Sequence, residues 1–166
     1  MSRLSTIELF KEDMKFSAGH FTIFSSDDRE NLHGHNYNVY IAITTIIEDE
    51  GFSFDYRYYK EKLRVLCDSL NQTVIIPGKC KHLRIEEKED YFYIYFHTEK
   101  IIFAKRDITI LPITNTTVEE LSNWILMQLL QDQNELIVNK IQKIKIKVFS
   151  GPGQSASATW RKSDAQ

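Results

Sequence analysis

The longest regular pattern in the sequence is the alternation over residues 33–46, "HGHNYNVYIAITTI". Its odd-numbered positions from 33 to 43 carry two histidines, a tyrosine and three aliphatic residues. Because side chains of a strand point alternately to opposite faces of a sheet, this pattern predicts a long strand with one buried face. Residues 14–20 and 140–150 alternate in the same way, the latter with lysines on the exposed face, and "SASATW" after "GPG" predicts a last short strand.

Two segments have helical spacing instead. Apolar residues recur every three or four positions over 56–70, and "NTTVEELSNWILMQLL" begins with a capping-box pattern from Thr117 to Glu120. Between these helices, the runs 91–96 and 101–104 predict a β-hairpin joined by "HTEK". The order predicts a single α+β domain over 1–166: a four-stranded antiparallel sheet with two helices on one face and an inserted β-hairpin.

Composition restricts the class of protein. The net charge of −2 and the pI near 6.2 give no bulk electrostatic reason to expect a nucleic-acid partner. Two cysteines are too few for a disulfide framework, and no stretch approaches the roughly 20 apolar residues that a membrane span needs. We therefore expect a soluble cytoplasmic protein that interacts with neither nucleic acid nor membrane.

Three histidines form a candidate metal site. His33 and His35 project from one face of their predicted strand, roughly 6.5 to 7 Å apart along it. His20 ends the preceding strand in phase with its apolar face, so antiparallel pairing would place it beside them. Three imidazoles leave one tetrahedral position open, as in catalytic zinc sites, and no carboxylate in the same segment completes the triad of two histidines and one carboxylate that binds iron. The alternative is that these are ordinary strand histidines, which is also the interpretation we favour for His82 and His97.

The motifs "FSAGH" and "LHGHNYNV" closely resemble the 6-pyruvoyltetrahydropterin synthase and 6-carboxytetrahydropterin synthase family, zinc enzymes of the tunnelling fold that act on dihydroneopterin triphosphate. "LPITNTTVEELSNWI" and "VFSGPGQSASATW" continue the similarity, which covers about residues 14–160. The resemblance implies zinc ligands at His20, His33 and His35. It also implies pterin contacts from Thr116 and Thr117 and a homo-oligomer, a hexamer built as a dimer of trimers.

The sequence departs from the family pattern in the loop before the HGH motif. Family members that make the pyruvoyl product carry a cysteine there, whereas this chain has none and reads "DDRENL". "RENLHGHNYNV" is similar to a variant subgroup, known from malaria parasites, in which glutamate replaces the cysteine and the side chain is cleaved to 6-hydroxymethyl-dihydropterin. By that resemblance Glu30 is the candidate acid/base; taken alone, it would be a solvated loop carboxylate.

Three further positions differ from the family. The usual Asp-His pair corresponds to Asn71 and Gln72 in "LNQTVIIP", and neither amide can relay a proton. A shifted register would instead place Asp68 and Ser69 there. The pterin-anchoring glutamate corresponds to Ser150, which accepts hydrogen bonds less well than a carboxylate.

These departures leave three functions open. The first is a zinc-dependent lyase acting on 7,8-dihydroneopterin triphosphate, by side-chain cleavage or by formation of 6-pyruvoyltetrahydropterin. The second is a catalytically silent relative that binds zinc and pterin. The third is a relative with an altered substrate, such as a purine-like ring.

Overall fold

The computed structural model describes residues 2–49 and 51–165. Within these ranges the chain forms ten strands and three α-helices: β1 Arg3–Leu9, β2 Lys15–His20, β3 His33–Ile47, α1 Arg57–Leu70, β4 Thr73–Pro77, β5 Leu83–Lys88, β6 Tyr91–Phe96, β7 Glu99–Ala104, β8 Ile108–Leu111, α2 Val118–Leu129, α3 Gln133–Val138, β9 Ile141–Gly151 and β10 Gln154–Arg161. None of the helices in these ranges is both long and apolar enough to cross a membrane.

The main sheet is mixed and larger than the sequence predicts. Its order is β10-β9-β3-β2-β4-β8, and β1 pairs with β3 beyond the end of β2. The four predicted strands are the antiparallel neighbours β10, β9, β3 and β2. The predicted number of four strands was wrong, because the sheet has seven. Strands β4 and β8 were missed because they are short and pair in parallel, and β1 was missed because it is mostly exposed.

The helices cover one face of this sheet, as predicted. Helix α2 packs on β9 and β10, and α1 packs on β2. The odd-numbered positions of β3 from 37 to 47 are buried, whereas the even-numbered ones are partly exposed. The long alternation therefore places one face of β3 in the core, and the lysine positions of β9 lie on the partly exposed face.

The predicted hairpin is in fact a three-stranded sheet. Strand β6 lies between β5 and β7, and β6 and β7 are joined by a two-residue turn, His97 and Thr98. Strand β5 was missed because "LRIEEK" is highly charged. One side of this inserted sheet forms a second core with residues of the main sheet and of the loop 21–32; its buried members are Phe21, Ile23, Ile76, Ile94, Phe96 and Ile108.

The stability of the main core should be sensitive to the shortening of a buried side chain of α1. Leu63 is fully buried in that core, so Leu63→Ala removes apolar contacts and leaves a cavity. We expect a loss of about 2–5 kcal/mol in the free energy of unfolding, measured by urea denaturation. Val65 lies on the same helix and is 58% exposed, so Val65→Ala should change this free energy by no more than about 0.5 kcal/mol. Equal effects of the two substitutions would contradict this packing.

Candidate metal centre and active site

The three predicted ligands meet where β2 ends and β3 begins. In the antiparallel ladder His20 lies opposite His33, and Ala18 lies opposite His35. The ring centroid of His20 lies 4.5 Å from that of His33 and 5.0 Å from that of His35. The ring centroids of His33 and His35 are 4.8 Å apart. Pairing of the two strands therefore brings together residues that are distant in sequence.

A glycine pair lets the strands approach closely at this point. Gly34, between the two histidines, lies opposite Gly19. A Cβ atom on Gly34 would be 3.3 Å from the carbonyl oxygen of Ala18, which is closer than most real Cβ contacts. The middle residue of the HGH motif thus allows the backbone of β2 to lie against β3 beside the ligands.

Backbone carbonyls orient two of the rings. The Nδ1 atom of His20 lies 2.9 Å from the carbonyl oxygen of Thr116, and that of His33 lies 2.8 Å from the carbonyl oxygen of Asn31. Because a carbonyl only accepts, each Nδ1 is assigned the proton and each Nε2 keeps its lone pair. This is the arrangement by which proteins orient histidine ligands toward a metal.

The ligand atoms converge to a spacing that suits one ion. One ring nitrogen from each histidine lies within 4.8 Å of the others, and Nε2 of His33 is 3.0 Å from Nε2 of His35. Two nitrogens bound tetrahedrally at about 2.0–2.1 Å from zinc would be about 3.3 Å apart. In residues 2–49 and 51–165, no second group of three or more such side chains is close enough to hold a metal.

His20, the most buried ligand, favours the neutral form, and its Nε2 atom has no hydrogen-bond partner in the described residues. Burial, followed by repulsion from His33 and His35, lowers the pKa of the His20 imidazole below its ordinary value. Its Nε2 atom is buried with no hydrogen-bond partner in the described residues. A neutral imidazole with an unsatisfied buried nitrogen fits a metal ligand, since a metal ion would satisfy the lone pair of that nitrogen.

This lowered pKa predicts how the metal-free protein responds to acid. Between the folded pKa of His20 and its unfolded value near 6.5, the unfolded state binds more protons, so stability falls as pH falls through this window. We expect urea unfolding of metal-free protein between about pH 7.5 and pH 5 to show this loss. His20→Gln should lose stability less steeply over the same range. An identical slope in the two proteins would exclude His20 as its source.

Tyr37 lies beside the histidines. Its ring packs edge-on against His20 and His35, with centroid distances of 6.0 and 5.6 Å, and stacks on Phe16. Its hydroxyl is buried with no hydrogen-bond partner in the described part of the chain. Burial and the nearby negative charge of Glu30 raise the pKa of this hydroxyl, so it stays protonated at neutral pH.

The predicted acid/base lies in a structured turn of the loop 21–32. Glu30 accepts a hydrogen bond of 2.9 Å from the backbone N–H of Thr22, and its own N–H donates to the Thr22 carbonyl at 2.8 Å. Partial burial opposes ionisation, but the hydrogen bonds with Thr22 and the influence of His33 and His20 give the carboxyl a pKa below its ordinary value. Glu30 is therefore an ionised carboxylate, held by Thr22 three positions before His33 in the chain.

The segment 114–117 forms hydrogen bonds with His20 and with the residues that follow it in the chain. The Thr116 hydroxyl donates to the Phe21 carbonyl at 2.8 Å, and its N–H donates to the side chain of Asn115. The Asn115 amide bonds both backbone groups of Ile23. Sequence reasoning missed Asn115, although its place beside the predicted threonines was a signal.

Half of the predicted capping box forms at the start of α2. The Thr117 hydroxyl accepts from the N–H of Glu120, while the Glu120 carboxylate bonds Thr114 instead of closing the box. Pterin binding by Thr116 and Thr117 stays a prediction.

Asn71 and Gln72 both form hydrogen bonds with the backbone of Ser17 in β2. The Asn71 side chain accepts a hydrogen bond of 2.9 Å from the N–H of Ser17, and its backbone ends α1. Gln72 has a left-handed backbone, φ 60°, and donates its N–H to the Ser17 carbonyl at 2.7 Å. Gln72 and His35 both line an open cavity of about 500 Å³. The two amides thus connect α1 to β2, and any catalytic part of theirs remains a prediction.

Ser150 lies on the same side of the sheet as the histidines. Val148 pairs with Val39 in the buried face, and Ser150 follows it by two residues. Tyr37 precedes Val39 by two residues, so Ser150 and Tyr37 lie level with each other just beyond the last paired residues. This position is compatible with the predicted substrate contact, but it supplies a hydroxyl where the family has a carboxylate.

The fold and the centre define the class: a tunnelling-fold chain with three histidines that could hold a metal. The family model for 6-pyruvoyl tetrahydropterin synthase matches residues 8–160, and the chain belongs to this family. A Methanocaldococcus jannaschii protein assigned as a 6-carboxy-5,6,7,8-tetrahydropterin synthase is 25% identical over 146 residues, 86% of this chain and 88% of the relative.

Solved structures agree. The 6-pyruvoyl tetrahydropterin synthase of Plasmodium vivax has a TM-score of 0.90 and 30% identity, covering 96% of this chain and 99% of that one. The Plasmodium falciparum protein has a TM-score of 0.89 and 29% identity, covering 95% and 98%. Two further structures are of the P. vivax protein with a glutamate, described as its catalytic residue, replaced by cysteine or alanine.

Proposed function

We propose that this protein is a zinc-dependent pterin enzyme that acts on 7,8-dihydroneopterin triphosphate and cleaves its side chain to give 6-hydroxymethyl-dihydropterin. The observation that carries this proposal is the fixed Glu30 carboxylate beside the three-histidine centre, in a loop without cysteine. The catalytic glutamate named for the P. vivax relative supports the same assignment.

The metal proposed is zinc, held by His20, His33 and His35. Three neutral imidazoles with an open fourth position are the donor set of catalytic zinc sites, and the unpartnered Nε2 of His20 suits it. When bound, zinc supplies a Lewis acid that makes a nearby hydroxyl group more acidic.

Glu30 is the proposed acid/base. As an ionised carboxylate it takes the proton from the hydroxyl on the second side-chain carbon of the substrate. The bond between the first and second carbons then breaks, and its electron pair passes into the dihydropterin ring system. The second carbon leaves as an aldehyde that carries the triphosphate, and Glu30 returns its proton to the first carbon. The atoms balance without an oxidant or reductant.

The pterin ring is proposed to lie against Thr116, Thr117 and Ser150. Backbone groups at the start of α2 would hold the pterin edge, and the Ser150 hydroxyl would replace the family's carboxylate at the anchoring position. The proposed enzyme is a cytoplasmic homo-oligomer, a hexamer built as a dimer of trimers. In such an assembly a neighbouring subunit could place titratable groups at the site, where Asn71 and Gln72 offer none.

Asn71, Gln72 and Ser150 favour a second candidate, a silent relative that binds zinc and pterin without turnover. The Asn71 side chain is already used by the N–H of Ser17, as expected of a residue kept for structure. A relative with an altered substrate is the variant of this candidate in which Ser150 accepts a ring with fewer donors.

The test is to incubate zinc-loaded protein with 7,8-dihydroneopterin triphosphate and identify the products by mass spectrometry. A 6-hydroxymethyl-dihydropterin product supports the lyase, whereas a 6-pyruvoyl product supports the synthase reaction of the family. If folded, zinc-loaded protein gives no product, calorimetric titration with the substrate separates the remaining candidates. Binding without turnover indicates the silent relative, and absence of binding indicates an altered substrate.

A further inference from the structure

The residue before Glu30 is tied to the inserted sheet. The guanidinium of Arg29 donates from Nε and Nη2 to one carboxylate oxygen of Glu99, at 2.8 and 2.5 Å. Glu99 is the first residue of β7, seventy positions further along the chain. The Arg29 side chain is only 16% exposed, whereas that of Glu99 is 51% exposed, so the guanidinium end of this ion pair is the one shielded from solvent.

Two aromatic rings also contact the same guanidinium. Its central carbon lies 5.0 Å from the ring centroid of Phe21 and 5.9 Å from that of Phe96. Phe21 directly follows the first histidine ligand, and Phe96 ends β6. Since a planar guanidinium binds carboxylates and stacks on rings at once, Arg29 joins the loop to the inserted sheet by two kinds of contact.

The third contact of Arg29 reaches the candidate catalytic residue. Its Nη1 atom donates to the backbone carbonyl of Glu30 at 2.7 Å. Residues 22–30 form a small hairpin in which Ile23 pairs with Arg29 and the N–H of Glu30 bonds the Thr22 carbonyl. The backbone of Glu30 is therefore held from one side by Thr22 and from the other by Arg29.

We propose that Arg29 and Glu99 form a positioning pair through which the inserted sheet sets the orientation of the Glu30 carboxylate. This inference rests on the proposed function, because it assigns the inserted sheet a part in that same site. Neither residue touches substrate: Glu99 holds Arg29, and Arg29 holds the carbonyl of Glu30. Loss of the pair frees the peptide group of Glu30 and turns its carboxylate away from the reacting proton.

The test compares two carboxylates of the inserted sheet. Glu99→Gln removes the charge that holds Arg29 but keeps the size of the side chain. Glu87→Gln is the matched control, because Glu87 is similarly exposed and pairs with Lys105 at 2.5 Å, with no contact to Arg29. We expect Glu99→Gln to lower kcat about 10-fold with KM changed less than about twofold, since misorientation affects the chemical step more than binding. The control should match wild type in both.

Amide hydrogen exchange gives a readout that does not depend on turnover. In Glu99→Gln, the amides of Thr22 and Glu30 should exchange about 10-fold faster, while those of the main sheet stay unchanged. Faster exchange with lower kcat supports the proposal. Unchanged exchange overturns it, and so does faster exchange with wild-type kcat. If wild type itself gives no product, the proposed function fails, and the exchange data alone decide whether Glu99 holds the loop.

Discussion

Replacement of Glu30 by glutamine is expected to reduce product formation by at least about 100-fold, the usual effect of removing a general acid/base. Glutamine cannot take up the substrate proton, but its side-chain oxygen can still accept the N–H of Thr22. The loop should therefore keep its conformation and the metal should stay bound. Single-turnover assays of zinc-loaded protein, with products quantified by mass spectrometry, measure the effect.

Asp28→Asn is the control for this substitution, because it removes a carboxylate from the same loop without touching the Thr22 contact. It should leave turnover within about twofold of wild type. A Glu30→Gln protein with more than a tenth of the wild-type rate would exclude Glu30 as the proton carrier, and equal losses in both variants would indicate a general effect of loop charge.

Replacement of His33 or His35 by alanine is expected to abolish stable zinc binding. Each variant leaves two imidazoles where about three protein ligands are needed for a catalytic zinc site. Both residues lie at the less buried end of the cluster, so the sheet should fold without them. After dialysis, inductively coupled plasma mass spectrometry should find about one zinc ion per wild-type chain and almost none per variant chain.

Thermal unfolding provides an independent readout of the same site. A chelator should lower the Tm of wild type, because it removes a ligand that stabilises only the folded state. The Tm of His33→Ala and His35→Ala should not respond to chelator, whereas the control His82→Ala should behave as wild type. A variant that keeps both its zinc and its response to chelator would show that the metal is held elsewhere.

The parts of the fold that the sequence predicted are those where the pattern is repeated over many residues. The alternation of 33–46 extends over most of β3, and the helical spacing of 56–70 corresponds to α1. Strand β8 has four residues and β5 is mostly charged, so neither has a periodicity that could be recognised. Strand β8 pairs with β4, which is distant in sequence, whereas β5 pairs with β6, the next strand along the chain.

The same distinction applies to the site. The histidines could be found because strand phase places them on one face, and their grouping is confirmed. Glu30 was identified only by resemblance, because nothing in "DDRENL" separates it from the neighbouring carboxylates. Asn115 and Glu99 act through hydrogen bonds that span 92 and 70 residues, which no local pattern reports.

The buried hydroxyl of Tyr37 has a consequence for how this chain could change over evolutionary time. It has no hydrogen-bond partner within the described residues, and a buried hydroxyl that stays unpartnered costs about 1–3 kcal/mol of folding free energy. Phenylalanine would fill the same space without that cost, so selection for stability alone would favour it. If tyrosine is retained at this position over evolution, the hydroxyl beside the histidines is kept at the expense of a lower free energy of unfolding.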